Sequence, residues 1–303
     1  MLRYWIFWFV FNVLGRLPLA AIYWIAGVMA WASYRFAKGS RANVIDNLRH
    51  VMPPETPEAE IERTAKQVFR NVTQYYADMA YMPRLDPQRF FDERLKVYGI
   101  EELLRPAMAT GRGVIMISAH FGNPEICGQG LLPCGIKVLA LTEPLDPPKL
   151  SELLDKRRSA HGHEFTAVGV GSVKRVLRTI KQGGVVVLMG DRDIKGPRQR
   201  LPFLGQDTWM PTGPFEVAVR TGAIVIPSFS YRRRDKFEAY MEKPLEIKNT
   251  GDLEADARDA ALQFLARFER RLRQEPGQWG VLESVWDTRG EPGTENREPG
   301  TES

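Results

Sequence analysis

From Gly111 onward the sequence alternates short, almost wholly apolar runs with longer amphipathic stretches, and few folds accommodate that alternation. Runs at 114–117, 136–141, 185–189 and 224–228 are too short for helices and rich in Val, Ile and Leu, the pattern of strands buried on both faces. Between them, 150–158, 173–182 and 213–221 carry apolar residues at helical spacing. Strand alternating with helix predicts an α/β layered sheet flanked by helices. In such sheets the strand ends are where binding and catalytic groups collect.

Helices flank this region. Between residues 40 and 82, Val44, Leu48 and Val51 form one stripe; Pro53 to Pro57 break it, and Ile61, Ala65, Val68, Val72, Tyr75 and Met79 form a second at spacings of three and four. A final helix is expected over 252–273, with Ala261, Phe264, Leu265 and Phe268 facing a core. Residues 288–303 repeat EPGTE and lack an apolar anchor, so they read as a disordered tail. The expected division is an N-terminal membrane-associated helix at 1–38, one domain at 39–287 and the tail at 288–303.

The first 38 residues are the least soluble part of the chain. YWIFWFVFNVL at 4–14 and LPLAAIYWIAGVMAW at 17–31 frame Gly15 and Arg16. The second run approaches the roughly 20 residues that span a bilayer, and spanning and lying in the interface both fit it; a buried core helix is the alternative on length alone. Trp and Tyr crowd the place where a signal-peptide cleavage site belongs, so retention is expected. Trp5, Trp8, Trp24 and Trp31 suit headgroup depth, and Arg35, Lys38 and Arg41 suit anionic lipid on the cytoplasmic side.

The net charge of +5 is spread through the middle of the chain. It suits an anionic surface or substrate, such as phospholipid headgroups, phosphorylated sugars or coenzyme A. Without a long basic run or an accompanying motif, nucleic acid is not an expected partner. Cys127 and Cys134 are the only cysteines; they make neither a disulfide framework nor a zinc spacing, and a reducing compartment is expected.

The chemistry concentrates where the 114–117 run passes through Ser118 and Ala119 into His120, Phe121, Gly122, Asn123, Pro124 and Glu125. The Gly-Asn-Pro turn suits a helix start near Asn123, which puts an imidazole and a carboxylate on either side of one turn. A hydroxyl becomes a competent nucleophile when a base takes its proton, and imidazole titrates near the working pH. Glu125 would fix the ring's tautomer, and the amides of Gly122 and Asn123 are candidates for an oxyanion site. By spacing alone, a structural histidine fits as well.

Asp191, Arg192 and Asp193 follow the 185–189 run and emerge at another strand end. Arg192 is a candidate for phosphate; the aspartates either pair with it or assist His120. The block from Phe203 to Gly213 suits a loop that lines an apolar groove or covers the sheet. No nucleotide-binding Gly-rich loop and no Gly-x-Ser-x-Gly elbow occur, and His50, His161 and His163 lack metal-ligand companions. A covalent nucleophile and a metal are therefore not expected.

SAHFGNPE at 118–125, GDRD at 190–193 and the block PFLGQDTWMPTGPFEVAVRTGAIVIP at 202–227 resemble, in order and spacing, the motifs of the lysophospholipid acyltransferase superfamily. The resemblance is to the branch of lipid A late acyltransferases and phosphatidylinositol mannoside acyltransferases, and covers about residues 41–286. It implies a glycerol-3-phosphate acyltransferase-like fold with a mixed sheet. It also implies transfer of a fatty acyl chain from acyl carrier protein or coenzyme A to a hydroxyl of a membrane glycolipid, at the cytoplasmic face of the inner membrane, with no cofactor beyond the donor. Carried across, His120 is the base and Glu125 its partner, the family pattern allowing Asp or Glu there. A headgroup-binding arginine belongs on the helix after the second strand, where both Arg157 and Arg158 occur, and Gly205 and Pro211 belong near the site. A catalytically inactive lipid-binding protein of the same fold and a basic scaffold anchored by the N-terminal helix are the other readings; the intact His120 and Glu125 favour turnover.

Overall fold

The computed structural model describes residues 2–192 and 196–286. Five helices open the chain: α1 (Leu2–Asn12), α2 (Leu19–Phe36), α3 (Lys38–Val51), α4 (Glu58–Tyr81) and α5 (Pro87–Arg94). Strands and helices then alternate as β1 (Leu95–Tyr98), α6 (Arg105–Ala109), β2 (Val114–Ser118), α7 (Pro124–Gln129), β3 (Val138–Thr142), α8 (Pro148–Arg158), β4 (Glu164–Ala167), α9 (Val170–Lys181) and β5 (Val185–Met189). A hairpin of β6 (Arg198–Phe203) and β7 (Gln206–Pro211) follows, then α10 (Gly213–Thr221), β8 (Ile224–Arg233), β9 (Lys236–Met241) and α11 (Leu253–Gln274).

Seven strands form one sheet in the order β1-β9-β8-β2-β5-β3-β4. Every neighbouring pair is parallel except β8 and β9, so the expected layered mixed sheet is present. All five residues of β2 are buried, as a central strand covered on both faces requires. One face is closed by α11, where Phe264 and Phe268 stack on Phe229 at 5.9 and 6.0 Å between ring centroids. The β2–β5 register sets Ser118 beside Met189, which brings the chain segments after both strands out together.

The two apolar N-terminal runs form two helices, not the single helix expected. Pro18 donates no backbone N–H, and Gly15 lies so close to α4 that an added Cβ would stand 2.7 Å from the Ala80 carbonyl oxygen. Among the described residues no helix is long and apolar enough to cross a membrane. In α2, Ile22 and Ala26 pack with Ala77 of α4, while Trp24 and Trp31 remain 72% and 65% exposed.

The Phe203 to Gly213 block, expected as a loop, belongs to the β6–β7 hairpin and the start of α10. Leu204 and Gly205 turn it with φ of 53° and 86°, the positive-φ pair of a tight two-residue connection. Its buried face covers the core, with Phe203 stacked on Phe268 at 5.9 Å. The expected tail at 288–303 lies outside the described residues.

Candidate active site

His120 follows β2 by two residues and Asp191 follows β5 by two, so adjacent parallel strands deliver them side by side. Gly190 permits the approach: its N–H donates to the Ser118 carbonyl at 2.9 Å, and a Cβ there would lie 2.8 Å from the Phe264 ring. His120 Nδ1 is 3.0 Å from Asp191 Oδ1, and the His120 backbone N–H donates to Oδ2 at 3.0 Å. The indole N–H of Trp279 donates to the same Oδ2 at 3.0 Å. Asp191 is fully buried and accepts all three.

Residues 278–280 hold this turn from the outside. Gly122 N–H donates to the Gln278 carbonyl at 2.8 Å and Gly280 N–H to the His120 carbonyl at 2.7 Å, while Phe121 and Trp279 form an antiparallel bridge. Gly122 has φ +67°, and a Cβ would meet the Ser230 carbonyl oxygen at 2.2 Å, so no other residue fits there without moving β8.

The electrostatics follow from burial and pairing. Burial alone would lower the His120 pKa; the charge and hydrogen bond of Asp191 outweigh it and hold the pKa above its ordinary value. Burial would raise the Asp191 carboxyl, yet the facing imidazole and the Trp279 and backbone donors keep it below the usual carboxylate range. An ionised Asp191 accepts the Nδ1 proton, which leaves Nε2 as the ring's acceptor.

Glu125 does not hold the ring. It stands in the first turn of α7 and accepts from Arg158 Nε at 2.9 Å, and its charge is the smallest of the influences on His120. Arg158 also reaches Asp155 at 3.1 Å and the Tyr75 hydroxyl at 3.3 Å. Arg157, one residue earlier, turns away: it donates to Asn12 Oδ1 at 3.0 Å and lies over the Phe11 ring at 5.0 Å. Of the two arginines, Arg158 alone lines the cavity described below.

The oxyanion expectation is corrected at Gly122, whose amide is engaged by the Gln278 carbonyl. The Asn123 side chain is buried, capping α7 at the Ile126 N–H (3.1 Å) and donating to Asp78 at 2.7 Å. Arg192 lines the cavity paired with Glu143 at 3.3 Å and Glu283 at 3.2 Å. Asp193 lies outside the described residues.

His120, Glu125, Arg158 and Arg192 share one cavity of about 730 Å³, within the range of small-molecule sites. Its deeper wall is apolar, with Leu141, Leu154, Val176, Leu188 and Val217 among the lining residues. Pro211, expected near the site, lines it too; Gly205 does not. An ordered imidazole on the wall of an apolar cavity with a guanidinium nearby can deprotonate a hydroxyl beside a long hydrocarbon chain held in that cavity.

Comparison with known proteins shows the family. The family model for bacterial lipid A biosynthesis acyltransferases matches residues 1–288. The chain belongs to that family. It is also 26% identical over 218 residues to a phosphatidylinositol mannoside acyltransferase of Mycobacterium tuberculosis, covering 70% of this chain and 66% of that protein. To the phosphatidylinositol mannoside acyltransferase of Mycolicibacterium smegmatis it is 25% identical over 264 residues, covering 85% and 83%. The lipid A acyltransferase family match includes both N-terminal helices, which the motif resemblance does not reach.

In this member of the lipid A acyltransferase family, residues that the sequence reading did not place at the site complete it. Trp279 anchors Asp191 from 88 residues away, with no local signal to announce it. Tyr75 reads in sequence as one more member of a core stripe, yet its hydroxyl meets Arg158 at the cavity wall.

Proposed function

We propose that this chain transfers a fatty acyl group from an acyl thioester, carried by acyl carrier protein or coenzyme A, to a hydroxyl of a membrane glycolipid of the lipid A precursor or phosphatidylinositol mannoside type. The observation that carries the reading is the His120–Asp191 pair, with His120 on the wall of an apolar cavity. Nε2 of His120 takes the acceptor hydroxyl's proton as its oxygen attacks the thioester carbonyl. The C–S bond breaks, the ester forms, and the imidazolium returns the proton to the departing thiolate. Asp191 holds the ring and stabilises the imidazolium formed during attack. The apolar wall takes the acyl chain, and Arg158, beside Glu125, meets anionic headgroup or donor phosphate. No acyl-enzyme is required. A thioester donor made in the cytoplasm and a lipid acceptor agree with work at the cytoplasmic face of the inner membrane.

The test is transfer from a labelled acyl thioester to total membrane lipids, resolved by mass, for wild type and His120→Ala. A labelled glycolipid made by wild type and reduced roughly 10²–10⁴-fold in the variant supports the base. Equal product from both removes His120 from the mechanism, and no product from either, with folding intact and both donor types supplied, favours the inactive lipid-binding reading.

A further inference from the structure

The lining residues that reach solvent mark the cavity mouth: Tyr76 on α4, Gly169 and Val173 at the start of α9, Gly196, Pro197, and Arg220 on α10. On the α4 side the mouth runs into apolar surface. Tyr76 packs on Phe7 of α1 at 5.5 Å between ring centroids, and α1 exposes Trp5, Ile6 and Phe9. No charged residue occurs from Tyr4 to Leu14.

Another part of the rim is α9. Its inner face, Val176 and Ile180, joins the core. Val173 and Leu177, one turn apart, are 50% and 38% exposed. Beside this apolar edge Lys174, Arg178 and Lys181 point outward at four- and three-residue spacing, and among the described residues they form no ion pair; Arg175 is paired with Glu164. An exposed apolar edge flanked by a cationic stripe is the composition of a helix lying at an anionic lipid surface. The edge reaches the mouth through Val173, and the mouth reaches the uncharged α1 through Tyr76 and Phe7, so both apolar surfaces border the same opening.

We propose that α9 is a second membrane-contact element, its Val173–Leu177 edge and Lys174–Arg178–Lys181 stripe resting on an anionic bilayer so that the cavity mouth opens onto lipid. The purpose of this contact rests on the lipid acceptor proposed above, but vesicle binding is read without turnover. An inactive enzyme would leave the binding result standing, and absent binding by α9 would leave the transferase reading standing.

The experiment uses the full chain and vesicles of phosphatidylcholine with one quarter phosphatidylglycerol. A cation near an anionic surface contributes roughly fivefold in affinity, so Lys174→Gln/Arg178→Gln/Lys181→Gln should bind these vesicles ten- to a hundredfold more weakly than wild type, with an unchanged melting curve. Independently, a bimane label at Leu177→Cys in a Cys134→Ser background should shift to the blue on adding them. Wild-type affinity in the triple variant together with an unshifted label overturns the proposal. The same holds if vesicle binding is unchanged while affinity for an acidic acyl carrier protein is lost, which would make α9 a protein-docking helix instead. Should the triple variant fail to fold, the label alone decides.

Discussion

At the scale of single residues, the site is defined by which carboxylate meets His120. A base works only when neutral, and Asp191 holds the imidazole's pKa above its ordinary value. Activity is therefore present above that raised pKa and lost as pH falls through it, so kcat/KM should decline on acidification at a pH above about 6.5. Glu125 acts mainly elsewhere: Glu125→Gln weakens the hold on Arg158 and should raise KM while lowering the acid limb less than loss of the Asp191 charge does, as a pH series of initial rates would read. The motif from Ser118 to Glu125 made the position of His120 legible, because a buried strand runs directly into it and its side chain lines the cavity. It misled about the partner, because separation in sequence says nothing of direction. Glu125 is five residues away but starts a helix that carries it to Arg158; Asp191 is distant in sequence but stands on the neighbouring strand.

At the scale of elements, the segment joining the site to the N-terminal helices is held by a buried ion pair. Asp78 of α4 accepts from Tyr23 of α2 at 2.6 Å and from Asn123, the α7 cap, at 2.7 Å, and pairs with the buried guanidinium of Arg232 on β8. Removing one partner of such a pair leaves a buried charge uncompensated, at about 3–5 kcal/mol. Asp78→Ala should thus lower Tm by on the order of 10 °C, read by calorimetry. Gly122→Ala should be worse tolerated than its single methyl suggests, since it combines positive φ with the Ser230 carbonyl; loss of soluble expression or of most activity is expected. Apolar periodicity made β2, β5, α10 and α11 legible almost to their ends. It could not reveal β1, β4 or β9, which are short and partly polar, nor the β6–β7 hairpin, whose turn places Leu204 at positive φ where glycine is the usual signal.

At the scale of the whole molecule, α2 is both surface and structure. Its exposed Trp24 and Trp31 suit lipid, while Ile22, Ala26 and Tyr23 face α4 and the Asp78 cluster. Deleting residues 2–36 should therefore destabilise the domain and not merely release it from membranes. Trp24→Ala/Trp31→Ala should keep Tm within about 1–2 °C, as surface changes do, yet bind vesicles more weakly; paired melting and sedimentation experiments would separate the two roles. The sequence pattern conveyed the apolar character of this region and its break at Gly15 and Arg16, but not how the two helices pack, which depends on the fit of Gly15 against Ala80.

The central claim is that His120 and Asp191 act as one unit. Its most direct test is the pH dependence of kcat/KM for Asp191→Asn beside wild type and Glu125→Gln. Removing the Asp191 charge leaves burial as the dominant influence on the ring, so the acid limb should move to lower pH while the plateau falls roughly 10²–10⁴-fold, and the Glu125→Gln limb should move less. An acid limb that stays in place in Asp191→Asn and moves in Glu125→Gln would contradict the account and return the partner's role to Glu125.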